Sequence, residues 1–202
     1  SRGARAASAP RHDDRAAVLM RVGVDLDGVC YDFAASVREY LCNHVGSHDP
    51  AVCTDPQRWE FCEDWGLDLS AFLDTFHAGV DAGVIFSHGD PHPNVAEAFS
   101  VIKSAGHSVH IITDRAIGSP GASAAATAKW LHRHGLGFDS LTFSADKTVV
   151  DVDVMVEDKL SNYDALEAAG VTTYLLKREW NRHGWDGRRT VLDLLHFAEV
   201  IR

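Results

Sequence analysis

Residues 18–29 read VLMRVGVDLDGV, from Val18 to Val29. The apolar, β-branched run Val18–Val24 predicts a buried strand, and it leads directly into Asp25-Leu26-Asp27-Gly28. Two carboxylates two residues apart can face one site where a strand is ending, and Gly28 permits the tight turn that follows. An Asx turn is the plain alternative. A calcium loop is excluded, because counting from Asp25 its sixth and twelfth positions are Cys30 and Ser36 where glycine and glutamate are required. A carboxylate is a weak nucleophile, but it can displace an alcohol from phosphorus when a magnesium ion neutralises the phosphoryl oxygens. A second carboxylate can then protonate the leaving oxygen and later activate water.

Outward from this strand, apolar segments and helical patterns alternate. His107–Thr113 predicts a second strand, after a helix over residues 94–105 that places Val95, Ala98, Phe99 and Ile102 on one face and ends at Gly106. Ala122–His134 predicts a helix, Leu141–Phe143 a short third strand and Val152–Val156 a fourth. A helix capped by Ser161 and ended by Gly170 follows, then a fifth strand, Thr172–Leu176, and a closing helix, Val191–Ile201. This rhythm predicts a doubly wound parallel sheet covered on both faces, of the Rossmann-like α/β class. Ligands of such sheets bind at the carboxyl ends of the strands, near the topological switch point.

The interval from Asp27 to Thr113 is far longer than the dozen or so residues a crossover needs. It is helical in pieces, over Phe33–Val45, Pro56–Trp65 and Leu69–Gly79, and predicts a small helical cap inserted after the first strand. The expected division is a flexible tail over 1–17, a core over 18–32 and 90–202, and a cap over 33–89. The tail is rich in Ala and Arg, a composition also found in organelle transit peptides.

The formal charge of −10, with no dense basic stripe, argues against a binder of polymeric nucleic acid. No apolar run reaches the roughly 18–20 residues needed to span a bilayer, so a soluble protein without membrane association is expected. Cys30, Cys42, Cys53 and Cys62 form no CxxC pair. A zinc site from Cys42, His44, His48 and Cys53 is conceivable, but free thiols in a reduced cytoplasmic protein are the reading adopted.

Three further segments carry candidate chemistry. Thr113-Asp114-Arg115 follows the second strand, where a hydroxyl and backbone N–H groups suit a phosphate oxygen and Arg115 offers a bidentate fork. Lys147 follows the third strand and can stabilise both a nucleophile and a transferring phosphoryl group. Glu157-Asp158 follows the fourth; with Asp25 and the Asp27 carbonyl it supplies the few hard oxygens magnesium recruits.

The order aspartate pair, threonine, lysine, acid pair resembles the haloacid dehalogenase-like (HAD) superfamily of phosphatases over residues 18–202. The resemblance implies that Asp25 forms a phosphoaspartate and Asp27 acts as acid and base. It further implies that Thr113 and Lys147 bind the phosphoryl group, and that Mg2+ is anchored by the acid pair together with Asp25 and Asp27. Asp27 argues for phosphate rather than dehalogenation chemistry. The acid pair begins with Glu157 where Asp-Asp is common, and Asp158 is favoured as the direct ligand.

The cap insertion and the run Asp25–Phe33 look like those of the 5′(3′)-deoxyribonucleotidases. That resemblance implies base stacking by Phe33 and cap aromatics, among Trp59, Phe61, Trp65, Phe72 and Phe76; the alternative is that these rings form the cap's own core. Arg178, in the loop after the fifth strand, can contact substrate or belong to a surface turn. His88 and His92 lie near the returning hinge, and no histidine is assigned to catalysis. The implied substrate is a nucleoside monophosphate; another small phosphoester is the alternative, and an idle phosphate-binding module a more distant one. Ester position and base preference stay open, and a homodimer is allowed for.

Overall fold

The strand that opens the sequence argument is the middle of a six-stranded parallel sheet. The structure, a computed structural model, describes residues 19–202. The expected tail over 1–17, and Val18 at the head of the predicted first strand, lie outside the described residues. The strands are β1 (Arg21–Val24), β2 (Ser108–Thr113), β3 (Ser140–Phe143), β4 (Val154–Glu157), β5 (Thr172–Leu176) and β6 (Thr190–Val191). Their order across the sheet is β3-β2-β1-β4-β5-β6. The chain therefore moves outward one way from β1 and returns on its other side at β4, so the topological switch point lies between β1 and β4. Asp25 continues this seam, its N–H donating to the Val156 carbonyl at 3.3 Å.

Alternate residues of the strands feed two apolar clusters. Val22, Val24, Ile111, Val154 and Val156 pack with the helices α4 (Val95–Ser104), α5 (Ala122–Arg133) and α7 (Leu194–Ile201). Ile112 and Met155 point the other way, onto Leu166 of α6 (Leu160–Ala168). A sheet buried on both faces explains why β4 reads as an unbroken hydrophobic run rather than an alternating one.

Between β1 and α4 stand α1 (Phe33–Glu39), which widens into a π-type stretch over Tyr40–Val45, then α2 (Phe61–Asp64) and α3 (Leu69–Asp81). Asp32 caps α1 by accepting from the Ala35 N–H, and Asp68 caps α3 by accepting from that of Ala71. The two chain crossings into this insert run side by side. The Tyr31 hydroxyl accepts from the Phe86 N–H and donates to Ser36, the His92 N–H donates to the Cys30 carbonyl, and the Trp130 indole donates to that of Gly89. The main apolar cluster runs without a break from Val22 through Tyr31 and Phe86 to Trp65 and Val80.

Several expectations need correction. The predicted helix over Pro56–Trp65 shrinks to Phe61–Asp64, leaving 55–60 as a loop. The α6 N-cap is Lys159, so Ser161 lies inside the helix. The closing helix starts at Leu194, because Thr190–Val191 pairs with β5 as a sixth strand.

Candidate active site

The carboxyl ends of β1, β2 and β4 open into a cleft of about 700 Å³ whose roof is the helical insert. Asp25 and Asp27 line its floor with Asp114, Lys147, Glu157 and Asp158, while Phe33, Trp59, Phe61, Phe72 and Phe76 line its upper wall. Four segments far apart in the chain thus meet at one place.

Asp25 is nearly buried, and its Oδ1 accepts from Lys147 Nζ at 2.8 Å. Lys147 is itself buried and also donates to the Ile112 carbonyl at 2.8 Å. Burial works against the lysine charge, but Asp25, Glu157 and the hydrogen bond to Asp25 outweigh it and its pKa rises. The ammonium is therefore firmly positive where it faces the nucleophile candidate. Thr113 ends β2 fully buried, and its Oγ1 has no hydrogen-bond partner among the described residues. A buried hydroxyl without a partner beside this floor fits an anion's oxygen.

Ligand oxygens of Asp25, Glu157 and Asp158, all three buried, lie within 4.8 Å of one another. Glu157 Oε1 accepts from the N–H groups of Asp158 and Lys159, both at 3.1 Å, and Oε2 from Asn162 Nδ2 at 3.2 Å. Its carboxylate thus holds the turn that leads into α6, whose N-terminus has no side-chain cap. Asp158 Oδ2 accepts from the Trp180 indole at 3.0 Å. Gly28, at φ +76°, leaves the space in which a Cβ would run into the Asp158 carboxylate. Three converging carboxylates offer hard oxygens, which fits a small divalent cation such as Mg2+.

Without such a cation the cluster is electrostatically unfavourable. Burial, and next the neighbouring Asp25, raise the Asp158 carboxyl to about 7 and hold Glu157 well above the ordinary range. In metal-free protein these carboxyls keep protons that the unfolded chain has already released above the ordinary value of 3.8 for Asp158. Their stabilising effect is therefore full below that value and is lost as pH rises from there through about 7. The expected result is a thermal midpoint that falls across this window in chelator-treated protein, with the fall reduced by added Mg2+. A midpoint insensitive to pH throughout the window would contradict the clustering.

Arg115 is placed differently from the anion-binding fork expected of it. Instead its side chain is fully buried, with Nε and Nη2 on the two oxygens of Asp27 at 2.9 and 2.8 Å and Nη1 on Thr127 Oγ1 at 2.9 Å. The guanidinium stacks 4.1 Å from the Phe86 ring centroid and 4.8 Å from that of Tyr31. Burial raises the Asp27 carboxyl, Arg115 pulls it down, and the net direction is up.

The other substrate-binding candidates divide. Phe33 stands in the cleft, 4.9 Å from Phe76 edge to face, and Asp114 is exposed at the floor. Trp59 is half exposed, with Lys159 Nζ 5.1 Å from its ring centroid. Arg178 lines the cleft and donates from Nε to the Gly28 carbonyl at 2.7 Å. Trp65 is turned away: it is buried and its indole donates to the Thr54 carbonyl at 3.0 Å, so it belongs to the insert's own packing. Sequence reasoning passed over Trp180 and Lys159. Trp180 lies in the same loop as Arg178, and Lys159 directly follows the acid pair. His92 also lines the cleft, and burial with the nearby Arg178 lowers its pKa to about 4, so it is neutral near pH 7. Among the described residues no cysteine or histidine joins a cluster able to hold a metal, so the conceivable zinc site is not formed.

A doubly wound parallel sheet with an acid pair after β1, a threonine after β2, a lysine after β3 and an acid pair after β4 defines a haloacid dehalogenase-like phosphatase. Residues 19–192 match the family described as "5' nucleotidase, deoxy (Pyrimidine), cytosolic type C protein", and the chain belongs to that family. It is a phosphatase of the nucleotidase branch. A Chlorobaculum tepidum protein named "Putative 5'(3')-deoxyribonucleotidase" is 28% identical over 165 residues, 80% of this chain and 81% of that protein. Among solved structures, a haloacid dehalogenase-like family hydrolase from Streptococcus pneumoniae aligns with a TM-score of 0.60 at 14% identity, covering 91% of this chain and 99% of its own. An L-2-haloacid dehalogenase aligns with a TM-score of 0.56 at 13% identity, covering 91% and 100%. These two show the shared fold. No helix among the described residues is long and apolar enough to cross a membrane.

Proposed function

We propose that the protein is a Mg2+-dependent 5′(3′)-nucleotidase that hydrolyses nucleoside or deoxynucleoside monophosphates through a phosphoaspartate on Asp25. The observation that carries this reading is the 2.8 Å contact of Lys147 with Asp25 Oδ1, beside the acid cluster and beneath the aromatic wall. With Oδ1 held by Lys147, Oδ2 of Asp25 is the oxygen left to attack phosphorus. The bond from phosphorus to the ester oxygen breaks as the bond to Oδ2 forms, and Asp27 gives its proton to the departing oxygen. Asp27 next takes a proton from the water that splits the acyl phosphate, releasing inorganic phosphate and restoring Asp25. Thr113 Oγ1 donates to a phosphoryl oxygen, and Lys147 balances the charge there. Asp25 and Asp158, with the Asp27 carbonyl, would hold a magnesium ion, which would supply charge neutralisation on the phosphoryl oxygens. Glu157 keeps Oε1 on the Asp158 and Lys159 N–H groups and so orients Asp158 beside it.

Phe33 and the cap rings offer faces for a flat base, and stacking of that kind contributes roughly 1–3 kcal/mol per base in single-strand binders. Residues 33–89 are the unit that brings these rings over the catalytic floor. A cytoplasmic setting belongs to this reading. The test is a panel of nucleoside monophosphates and sugar phosphates assayed with Mg2+. Nucleotides are expected to show the higher kcat/KM, and Phe33→Ala to erode that advantage by raising KM. Sugar phosphates turning over faster by orders of magnitude would replace the nucleotide reading with that of a phosphatase for another small phosphoester.

A further inference from the structure

Asp158 is gripped twice by one loop. After β5 the chain makes a short 3-10 helical stretch, Glu179–Gly184. Its Asn181, buried, donates from Nδ2 to the Asp158 carbonyl at 2.7 Å and to the Leu176 carbonyl at 2.8 Å. The Asn181 Oδ1 accepts from the Arg178 N–H at 3.0 Å and from the Trp185 indole at 2.6 Å. The amide is saturated, so the loop is fixed against the end of β5 and against the backbone of Asp158. Trp180, beside Asn181, then sends its indole N–H to Asp158 Oδ2 at 3.0 Å. The same ring stands close over Gly28, where a Cβ would come 3.1 Å from its Cζ2.

We propose that Trp180 is a positioning residue for metal binding, holding Oδ2 of Asp158 so that Oδ1 is the oxygen presented to the cation. The inference rests on the reading that Asp158 is a metal ligand, and it adds a role for a residue outside the four motifs. Two physical points carry it. Trp180 is part-exposed and lines the cleft, so the apolar core does not account for its inward-pointing N–H. Second, its donor is neutral. Asp25, Glu157 and Asp158 repel one another, and an unrestrained Asp158 carboxylate would rotate away from the other two. A lysine or arginine at position 180 would hold it but would also cancel the negative charge that attracts a divalent cation. An indole N–H orients the carboxylate and leaves its charge for the metal, as a supporting group around a metal ligand does.

The test is isothermal titration calorimetry of Mg2+ into the intact chain and into Trp180→Phe, which keeps an aromatic face and loses the N–H. Roughly 10–100-fold weaker Mg2+ binding is expected for the variant, the range seen when groups behind metal ligands are removed. Equal affinity in the two proteins would overturn the positioning role while leaving Asp158 as a ligand. No Mg2+ binding by the unaltered chain would overturn the metal reading and this inference with it. A second measurement, on unaltered protein labelled with 15N at tryptophan, guards against a variant that fails to fold. The Trp180 indole resonance is expected to shift on adding Mg2+ by more than those of the buried Trp65 and Trp130. A Trp180 resonance that stays still at saturating Mg2+ refutes the proposal.

Discussion

Asp25→Asn is expected to lower Mg2+-dependent release of phosphate from nucleoside monophosphates, and from para-nitrophenyl phosphate, by roughly 10⁴–10⁶-fold, the scale on which loss of a covalent nucleophile is felt. The substitution is close to isosteric, and an amide oxygen can still accept from Lys147 at the place where Oδ1 now does. What it removes is the carboxylate oxygen that the proposed mechanism uses as nucleophile, and one negative charge. Loss of that charge relieves Glu157 and Asp158, whose carboxyls are both held up partly by Asp25. It also leaves Lys147 with a weaker counter-charge. The two effects oppose each other, so the metal-free thermal midpoint is expected to move little while turnover disappears. Trapping of 32P from a labelled nucleotide on unaltered protein, absent in Asp25→Asn, gives a separate readout. Substantial residual turnover in the variant, with Mg2+ still bound, would remove Asp25 from the nucleophile role.

The parts of this site that depend on where a strand ends were legible in the sequence, and the parts that depend on a distant partner were not. Asp25, Asp27, Lys147 and Asp158 follow apolar strands, and a parallel sheet sends the residues after its strands to one edge, so their meeting follows from order alone. Arg115 follows a strand too, but its side chain is taken by Asp27, 88 residues earlier, and by the rings of Tyr31 and Phe86. Nothing local to Thr113-Asp114-Arg115 marks that capture. Trp59 and Trp65 are alike as letters. Residues 55–60 leave the helix and put Trp59 on the cleft, whereas α2 places Trp65 inward over Thr54. The missed β6 has two residues, too few to show a period, and its Val191 reads as well at the start of a helix. Ser161 has the residue type of a cap, but α6 already starts at Leu160, and the carboxylate of Glu157 holds the preceding turn through the Asp158 and Lys159 N–H groups.

Arg115→Met is expected to change stability and acid–base behaviour together, and its argument begins from the clamp on Asp27. Both carboxylate oxygens accept from the guanidinium, an arrangement that suits the ionised form, while burial favours the protonated one. The buried arginine is fixed by Thr127 and two ring faces, so it cannot follow a substrate and acts only on Asp27. Removing one partner of a buried pair costs about 3–5 kcal/mol. The loss should fall at or below the lower end, because the Asp27 side chain keeps 24% exposure to solvent and can also take a proton. That protonation fixes the sign of the second effect. Arg115 lowers the Asp27 pKa, so its removal raises it further and keeps the acid protonated to higher pH. If protonated Asp27 is needed to free the leaving oxygen, the alkaline limb of the kcat/KM profile should move up in the variant even as the thermal midpoint drops. Asp27→Asn should instead remove that limb and cost roughly 10²–10⁴-fold in kcat, the usual contribution of a positioned acid. An Arg115→Met protein whose KM rises while its pH profile stays in place would mean that Arg115 grips the phosphate rather than tuning Asp27.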